Sequence, residues 1–386
     1  MKKILALLFF ALTFLSGQAQ LKLSPNAEVS LYTCGMGDDL YALFGHTAIR
    51  IQDPEQNLDR VYNYGTFSFG DDFYTKFTMG QLNYKLSAYG FGGFESEYVY
   101  YQRSIDRQVL NLSQDQKDEL YTLLEVNALP QNAYYLYDFF YDNCSTRPRD
   151  IINKVCDGNI KYPDLTNGSA KTFRQLIDEY LSYSPWADFG IDIGLGSVCD
   201  TPIITQGYMF LPDYLFKAYE TATIDGKALV STTENRFSPE LERSDALKMS
   251  DPVSLFSILL VIFIAITYIE WRRKQRWVWI DKVFFSLVGL VGWLVFFLWF
   301  FTDHQATKDN WNILWAFPLN FPFALFIFRK RFGRIIKYYQ WFLLWGCIIL
   351  AAGWYVIPQQ LHIAVFPILL IMILRLSHSL IRKYNQ

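Results

Sequence analysis

Histidine is almost missing from this chain: there are four in 386 residues, and only His46 precedes the apolar C-terminal third. A multi-histidine metal centre is thereby excluded from the polar part, which keeps a single imidazole for acid–base work. Cysteine is also sparse. Cys34, Cys144, Cys156, Cys199 and Cys347 include no C-x-x-C spacing, so no structural zinc or other metal site is expected, and no cofactor either. With Cys144 kept as a thiol, Cys156 with Cys199 is the expected disulfide, and Cys34 stays unpaired. Clustered positive charge is lacking too: residues 21–250 hold 19 Lys and Arg against 32 Asp and Glu, a net charge near −13. Phosphate backbones are bound by clustered cations, so nucleic acid is excluded as a partner.

What the chain does have is a division by solvent. Met1-Lys2-Lys3, the apolar run Ile4 to Leu15 and then Ser16-Gly17-Gln18-Ala19 have the layout of a secretory signal cleaved after Ala19. A polar part follows to about residue 250. From Pro252 onward, apolar spans near 253–270, 283–301, 311–328, 338–356 and 361–378 predict five membrane helices, with Pro318, Pro322 and Pro367 tolerated inside the bilayer. Charge reverses here, to 14 Lys and Arg against 5 Asp and Glu. Arg272, Arg273, Lys274, Arg276 and Lys282 occupy one loop, and Arg329, Lys330, Arg331, Arg334 and Lys337 another. The positive-inside rule makes both loops and the tail Arg382-Lys383 cytoplasmic, with residues 20–250 on the other side. Asp303 and His304 then sit on the exported side as interfacial polar residues. The expected organisation is a signal peptide at 1–19, an exported domain at 20–225, a linker at 226–250 and a membrane domain at 251–386.

Within the exported part, Glu28 to Thr33 reads as a strand and His46 opens another, Thr47, Ile49 and Ile51 alternating with Ala48 and Arg50. Asp53 to Asp59 turns the chain, and Arg60 to Gly65 returns beside it. Residues 67–101, rich in Phe, Tyr and Gly, show no clean period and suggest aromatic loops that cover the sheet or line a groove for an acyl chain. Ser113 with Gln116 forms a capping box that opens a helix through Asn127. Another helix is expected over about 169–181. Asp188, Asp192 and Asp200 lie in a Gly-rich stretch and read as solvated acids.

The chemistry concentrates in Tyr141-Asp142-Asn143-Cys144-Ser145-Thr146-Arg147-Pro148-Arg149-Asp150. Asn143, Ser145 and Thr146 are capping residues and Pro148 is tolerated in a first helical turn, so Cys144 lies at a helix start. Orphan N–H groups and the helix dipole, helped by Arg147 and Arg149, favour a thiolate there. His46 is its expected base, and a backbone N–H at the helix start is the natural oxyanion donor. Asn63, on the returning strand, is the group best suited to orient the imidazole through its carbonyl. Tyr64, Arg147 and Arg149 are candidate substrate contacts.

A histidine that opens an early strand and a cysteine that starts a later helix resemble the permuted NlpC/papain-like group, which includes lecithin:retinol acyltransferase. Leu43-Phe44-Gly45-His46-Thr47-Ala48, Asn63-Tyr64-Gly65-Thr66-Phe67 and Tyr141 to Arg147, followed by the apolar region, resemble more closely the Lnb family of bacterial lipoprotein N-acyltransferases. The resemblance implies an α+β, permuted papain-like (NlpC-type) extracytoplasmic domain followed by an all-α transmembrane domain of five helices. It implies a multi-pass protein of the bacterial inner membrane with its catalytic domain in the periplasm. By the same resemblance, Cys144 carries a fatty acyl group from a membrane phospholipid to the α-amine of a diacylated lipoprotein, with His46 as base. Two other readings share these residues: a membrane-anchored cysteine peptidase or amidase acting on cell-wall peptides, and a non-enzymatic envelope scaffold.

Overall fold

The computed structural model describes residues 22–68, 70, 72–239, 251–326 and 333–381. The expected signal segment lies outside the described residues, as do Arg329, Lys330, Arg331, Arg382 and Lys383. The chain divides into two compact units. One comprises residues up to Phe67, Asn83–Leu165 and Tyr208–Glu240, and the other comprises Ser68–Leu82, Thr166–Gly207 and Leu241–Gln386.

In the first unit, strands β1 (Glu28–Cys34), β2 (His46–Asp53), β3 (Leu58–Thr66), β4 (Asn83–Gly90), β5 (Ile105–Leu110) and β6 (Tyr134–Leu136) join β10 (Val230–Phe237) in one antiparallel sheet of order β10-β5-β1-β2-β3-β4-β6. The short strands β7 (Ile160–Lys161), β8 (Thr223–Ile224) and β9 (Lys227–Ala228) make a second, small sheet. The expected linker therefore begins too early at 226. Residues 230–237 pair with β5, a place the sequence hid because this edge strand is largely exposed and carries few apolar side chains.

Both faces of the main sheet are covered. Side chains alternate between faces along a strand, and Val29, Leu31, Ile49, Ile51, Tyr62 and Tyr64 share one core with Leu120 and Leu124 of a helix at Gln114–Ala128 and with Ile152 and Val155 of a helix at Thr146–Val155. The opposite face holds Tyr32, Cys34, Ala48 and Val61 against Phe91, Phe94 and Tyr98. These three aromatics form one stripe of a helix at Phe91–Tyr100, so this part of the expected loop region is helical. Its glycines and its fully aromatic stripe masked the period. Full burial of a side chain such as Phe94, which has no exposed surface, contributes about 1.5–3 kcal/mol. These helices are α1 (Phe91–Tyr100), α2 (Gln114–Ala128) and α3 (Thr146–Val155). The capping box at the start of α2 forms as expected: the Gln116 N–H donates to Ser113 Oγ, and the Ser113 N–H donates to the Gln116 side chain.

The second unit contains α4 (Pro252–Arg273), α5 (Val278–Phe300) and α6 (Gly333–Ala352), the three described helices long and apolar enough to cross a membrane. A fourth apolar helix, α7 (Val365–Ile381), has 17 residues. The span expected at 311–328 is not one helix. Its described part is a turn at Trp311–Leu314 and a short helix at Asn320–Phe326, because Pro318 lacks the N–H a continuous helix needs there. The non-helical backbone is covered by protein: a Cβ on Gly292 of α5 would lie 1.8 Å from the Ala316 carbonyl oxygen, so only glycine permits this approach. Arg375 of α7, fully buried, pairs with Glu270 of α4 at 2.7 Å and with Asp281 of α5 at 2.6 Å, pinning three helices together.

Loops between these helices hold the unit's remaining segments. Asp303 N–H donates to the Met79 carbonyl, Gln81 Nε2 to Asp303 Oδ2, and His304 Nε2 meets the Phe77 carbonyl at 3.0 Å. Asn310 and Asn312 donate to the carbonyls of Asp192, Ile193 and Gly194. Asp192 and Asp200, expected as solvated acids, are buried partners of Arg174 at 2.5 and 2.8 Å.

Candidate functional site

The site is assembled from β2, β3, β4 and the start of α3. Asn143 is the residue that caps α3: its Oδ1 accepts from the N–H groups of Ser145 at 2.7 Å and Thr146 at 2.9 Å, while its own N–H donates to Thr146 Oγ1. Its Nδ2 donates to the carbonyls of Phe139 and Phe210, which fixes the turn. Cys144 is thereby held half-buried immediately before the helix. The Ser145 hydroxyl, expected as a cap, instead meets Thr47 Oγ1 at 3.0 Å.

His46 begins β2, and its Nε2 lies 2.6 Å from Asn63 Oδ1 on β3. Asn63 Nδ2 donates to the Tyr89 hydroxyl of β4 at 3.0 Å, which fixes which end of the carboxamide faces the imidazole. An oxygen acceptor at Nε2 places the proton of the neutral ring there, so Nδ1 carries the basic lone pair. The Tyr98 ring stacks on the imidazole at 6.2 Å. Thr47 and Gly65, which neighbour the His46–Asn63 pair along their strands, both touch Cys144. The Thr47 backbone and the Ser145 side chain favour the Cys144 thiolate. Gly65 has φ +86°, and a Cβ there would lie 3.2 Å from Cys144 Cβ. The positive φ favours glycine there, and a side chain would also press on Cys144.

Electrostatically the resting pair is neutral. Burial pushes the Cys144 thiol up, and the hydrogen bonds from Thr47 and Ser145 and the Arg103 charge only oppose it. Burial also holds His46 down to about 4, against a raising effect of Asn63. The thiolate expected from the helix dipole is therefore not the resting form: desolvation outweighs the donors. Nor do the flanking arginines supply free charge beside it. Arg147 makes two bonds to Asp142, at 2.5 and 2.7 Å, and lies over the Tyr135 ring at 3.5 Å. Arg149 bonds Asp150 at 2.7 Å. Tyr64 is buried, with its hydroxyl accepting from Asn127, which places this candidate substrate contact in the core.

No disulfide joins any of the five cysteines: Cys156 is buried in the first unit's core, and Cys199 lies within hydrogen-bond reach of the Ala306 carbonyl. Among the described residues, the carboxylates of Asp178, Asp188 and Asp192 are the group close enough to share a cation. Arg174 already pairs with Asp192 and His362 with Asp188, and no thiol joins them, so the donor set does not suit zinc. Sequence reasoning missed Thr47, Ser145, Tyr89 and Tyr98 as neighbours of the site. Thr47 and Ser145 carried a signal by adjacency to His46 and Cys144; the two tyrosines carried none.

A thiol, an imidazole and a carboxamide on one sheet-based unit, in a chain that also carries apolar membrane-length helices, define a membrane protein with a candidate thiol–imidazole site. The Lnb N-terminal periplasmic domain matches residues 16–179 and the Lnb transmembrane domain matches residues 244–386. The chain belongs to the Lnb family, a family of membrane-associated lipoprotein N-acyltransferases, and is a membrane protein with a periplasmic domain. No curated protein and no solved structure matches it.

Proposed function

We propose that this protein transfers a fatty acyl chain from a membrane phospholipid, through a thioester on Cys144, to the α-amine of the N-terminal diacylglyceryl-cysteine of a lipoprotein. The observation that carries the reading is the His46 Nε2–Asn63 Oδ1 bond, which leaves Nδ1 as the base, on a pair of strands whose Gly65 packs against Cys144. His46 Nδ1 takes the thiol proton as sulfur attacks the ester carbonyl; the lysolipid oxygen leaves with that proton, and the thioester remains. The acceptor amine then attacks the thioester, loses a proton to His46 and expels the thiolate, which is reprotonated. Asn143 takes the N–H groups of Ser145 and Thr146, so the Cys144 backbone N–H is the group suited to stabilise the oxyanion of both steps. Tyr137, beside Gly65, stacks on Tyr84 at 4.1 Å, and the two rings offer an apolar wall to an acyl chain. The protein's place is the bacterial inner membrane, where both substrates reside.

Incubation with phospholipid followed by intact-mass measurement tests this. Wild type gains a fatty-acyl mass that hydroxylamine removes, Cys144→Ala gains none, and a diacylated lipopeptide discharges the adduct. Cleavage of soluble peptides with no acyl transfer to the lipopeptide would instead make the protein a peptidase.

A further inference from the structure

Seven arginines are described in the first unit, and six of them meet a carboxylate: Arg50 pairs with Asp59, Arg60 with Glu125, Arg107 with Glu28 and Glu234, Arg147 with Asp142, Arg149 with Asp150 and Arg236 with Glu95. Arg103 is the exception among the described residues. It lies between α1 and β5, where its Nε donates to the Gly35 carbonyl at 2.8 Å and its guanidinium sits 4.6 Å from the Tyr98 ring centroid. The same Tyr98 ring stacks on His46. Arg103 Nη2 is buried without any hydrogen-bond partner, and Nη1 makes no bond among the described residues.

Leaving a buried donor unpaired costs about 1–3 kcal/mol, more for a charged group, so such a group calls for a ligand. A guanidinium with its Nε edge fixed by a carbonyl and its face fixed by an aromatic ring is pre-organised, and its remaining fork matches the paired oxygens of a phosphate. The surrounding unit is strongly acidic, so an uncompensated cation stands out as a specific anion contact rather than part of a basic surface. Its charge also reaches the catalytic pair, lowering the pKa of both His46 and Cys144.

We propose that Arg103 is an anion-recognition residue of this site, its Nη donors taking phosphate oxygens of the phospholipid that reacts at Cys144. The assignment rests on the acyl-transfer reading for its setting, but its test does not require turnover. Full-length Cys144→Ala protein in non-ionic micelles is titrated with dihexanoyl phosphatidylglycerol, with dihexanoylglycerol, which has the same chains and no phosphate, and with inorganic phosphate. Adding Arg103→Met is expected to weaken phosphatidylglycerol binding by about tenfold or more while leaving dihexanoylglycerol unchanged, and Arg103→Lys to recover part of the loss. Equal weakening of both lipids would mean that Arg103 only packs against Tyr98, and unchanged binding of both would mean that it has no ligand role; either overturns the proposal. Inorganic phosphate binding as tightly as the phospholipid, with the same loss in Arg103→Met, would assign the residue to free phosphate and overturn the lipid contact. Thermal melts of each variant separate these outcomes from misfolding, with Arg103→Gln as the replacement if the methionine variant does not fold. Failure of the thioester is read separately, by the intact mass of the wild type.

Discussion

Replacing Asn63 with alanine removes the acceptor of the 2.6 Å bond from His46 Nε2 and leaves that N–H without a partner. The bond matters most when the ring is an imidazolium, as it becomes during thiol attack, and hydrogen bonds to charged groups contribute about 1.5–3 kcal/mol. At about 1.4 kcal/mol per factor of ten, kcat/KM for acylation of Cys144 should fall about 10- to 150-fold. The pH profile supplies the sign. Asn63 favours the protonated ring, so its loss moves the His46 pKa below its present value of about 4, and the acid limb of the rate profile shifts to lower pH as the plateau drops. Asn63→Asp puts a carboxylate at the same distance and shifts the limb upward. Stopped acylation reactions followed by intact mass across about pH 3 to 8, with thermal melts of each variant, measure both quantities. A plateau for Asn63→Ala within about twofold of wild type, or an acid limb that falls in Asn63→Asp, would refute the orientation of His46 by Asn63.

Gly65→Ala should cost about 1–2 kcal/mol in backbone strain at φ +86° and displace Cys144, so acylation falls at least about tenfold in protein that still folds by circular dichroism. Arg375→Met leaves Glu270 and Asp281 without their buried cation and should destabilise the membrane unit by about 3–5 kcal/mol, read as a lower midpoint in detergent unfolding. His46 titrates near 6.5 when unfolded and near 4 when folded, so the unfolded chain binds the extra proton between these values. This contribution to stability is complete above pH 6.5 and is lost as pH falls toward 4; His46→Gln should narrow the Tm difference between pH 7 and pH 5.

Much of the local structure was legible because it depends on neighbours in the chain. The period-two pattern after His46, the turn at Asp53 to Asp59, the Ser113–Gln116 box and the apolar stretches of α4, α5 and α6 are each written within a dozen or two residues, where propensity and hydropathy act directly. Cys144 before a capped helix is local as well. Other features failed for equally physical reasons. The helix at Phe91–Tyr100 is stabilised by packing its aromatics on the sheet rather than by propensity, and the edge strand at Val230–Phe237 is defined by its hydrogen bonds to β5.

The sequence by itself determined the two solvents of the chain, the strand that carries His46, the helix start that carries Cys144 and the choice of Asn63 as the group suited to orient the imidazole. Only the tertiary structure decided what surrounds them. It brought Thr47 and Gly65 against Cys144, Tyr89 onto Asn63 and Tyr98 between His46 and Arg103, all contacts made across strands or between elements far apart in the chain. It also decided the protonation of the site. Helix-start geometry, read from local sequence, favours a thiolate, whereas the desolvation that keeps Cys144 a thiol and His46 neutral comes from the packing of distant residues around them, and no local pattern encodes that burial.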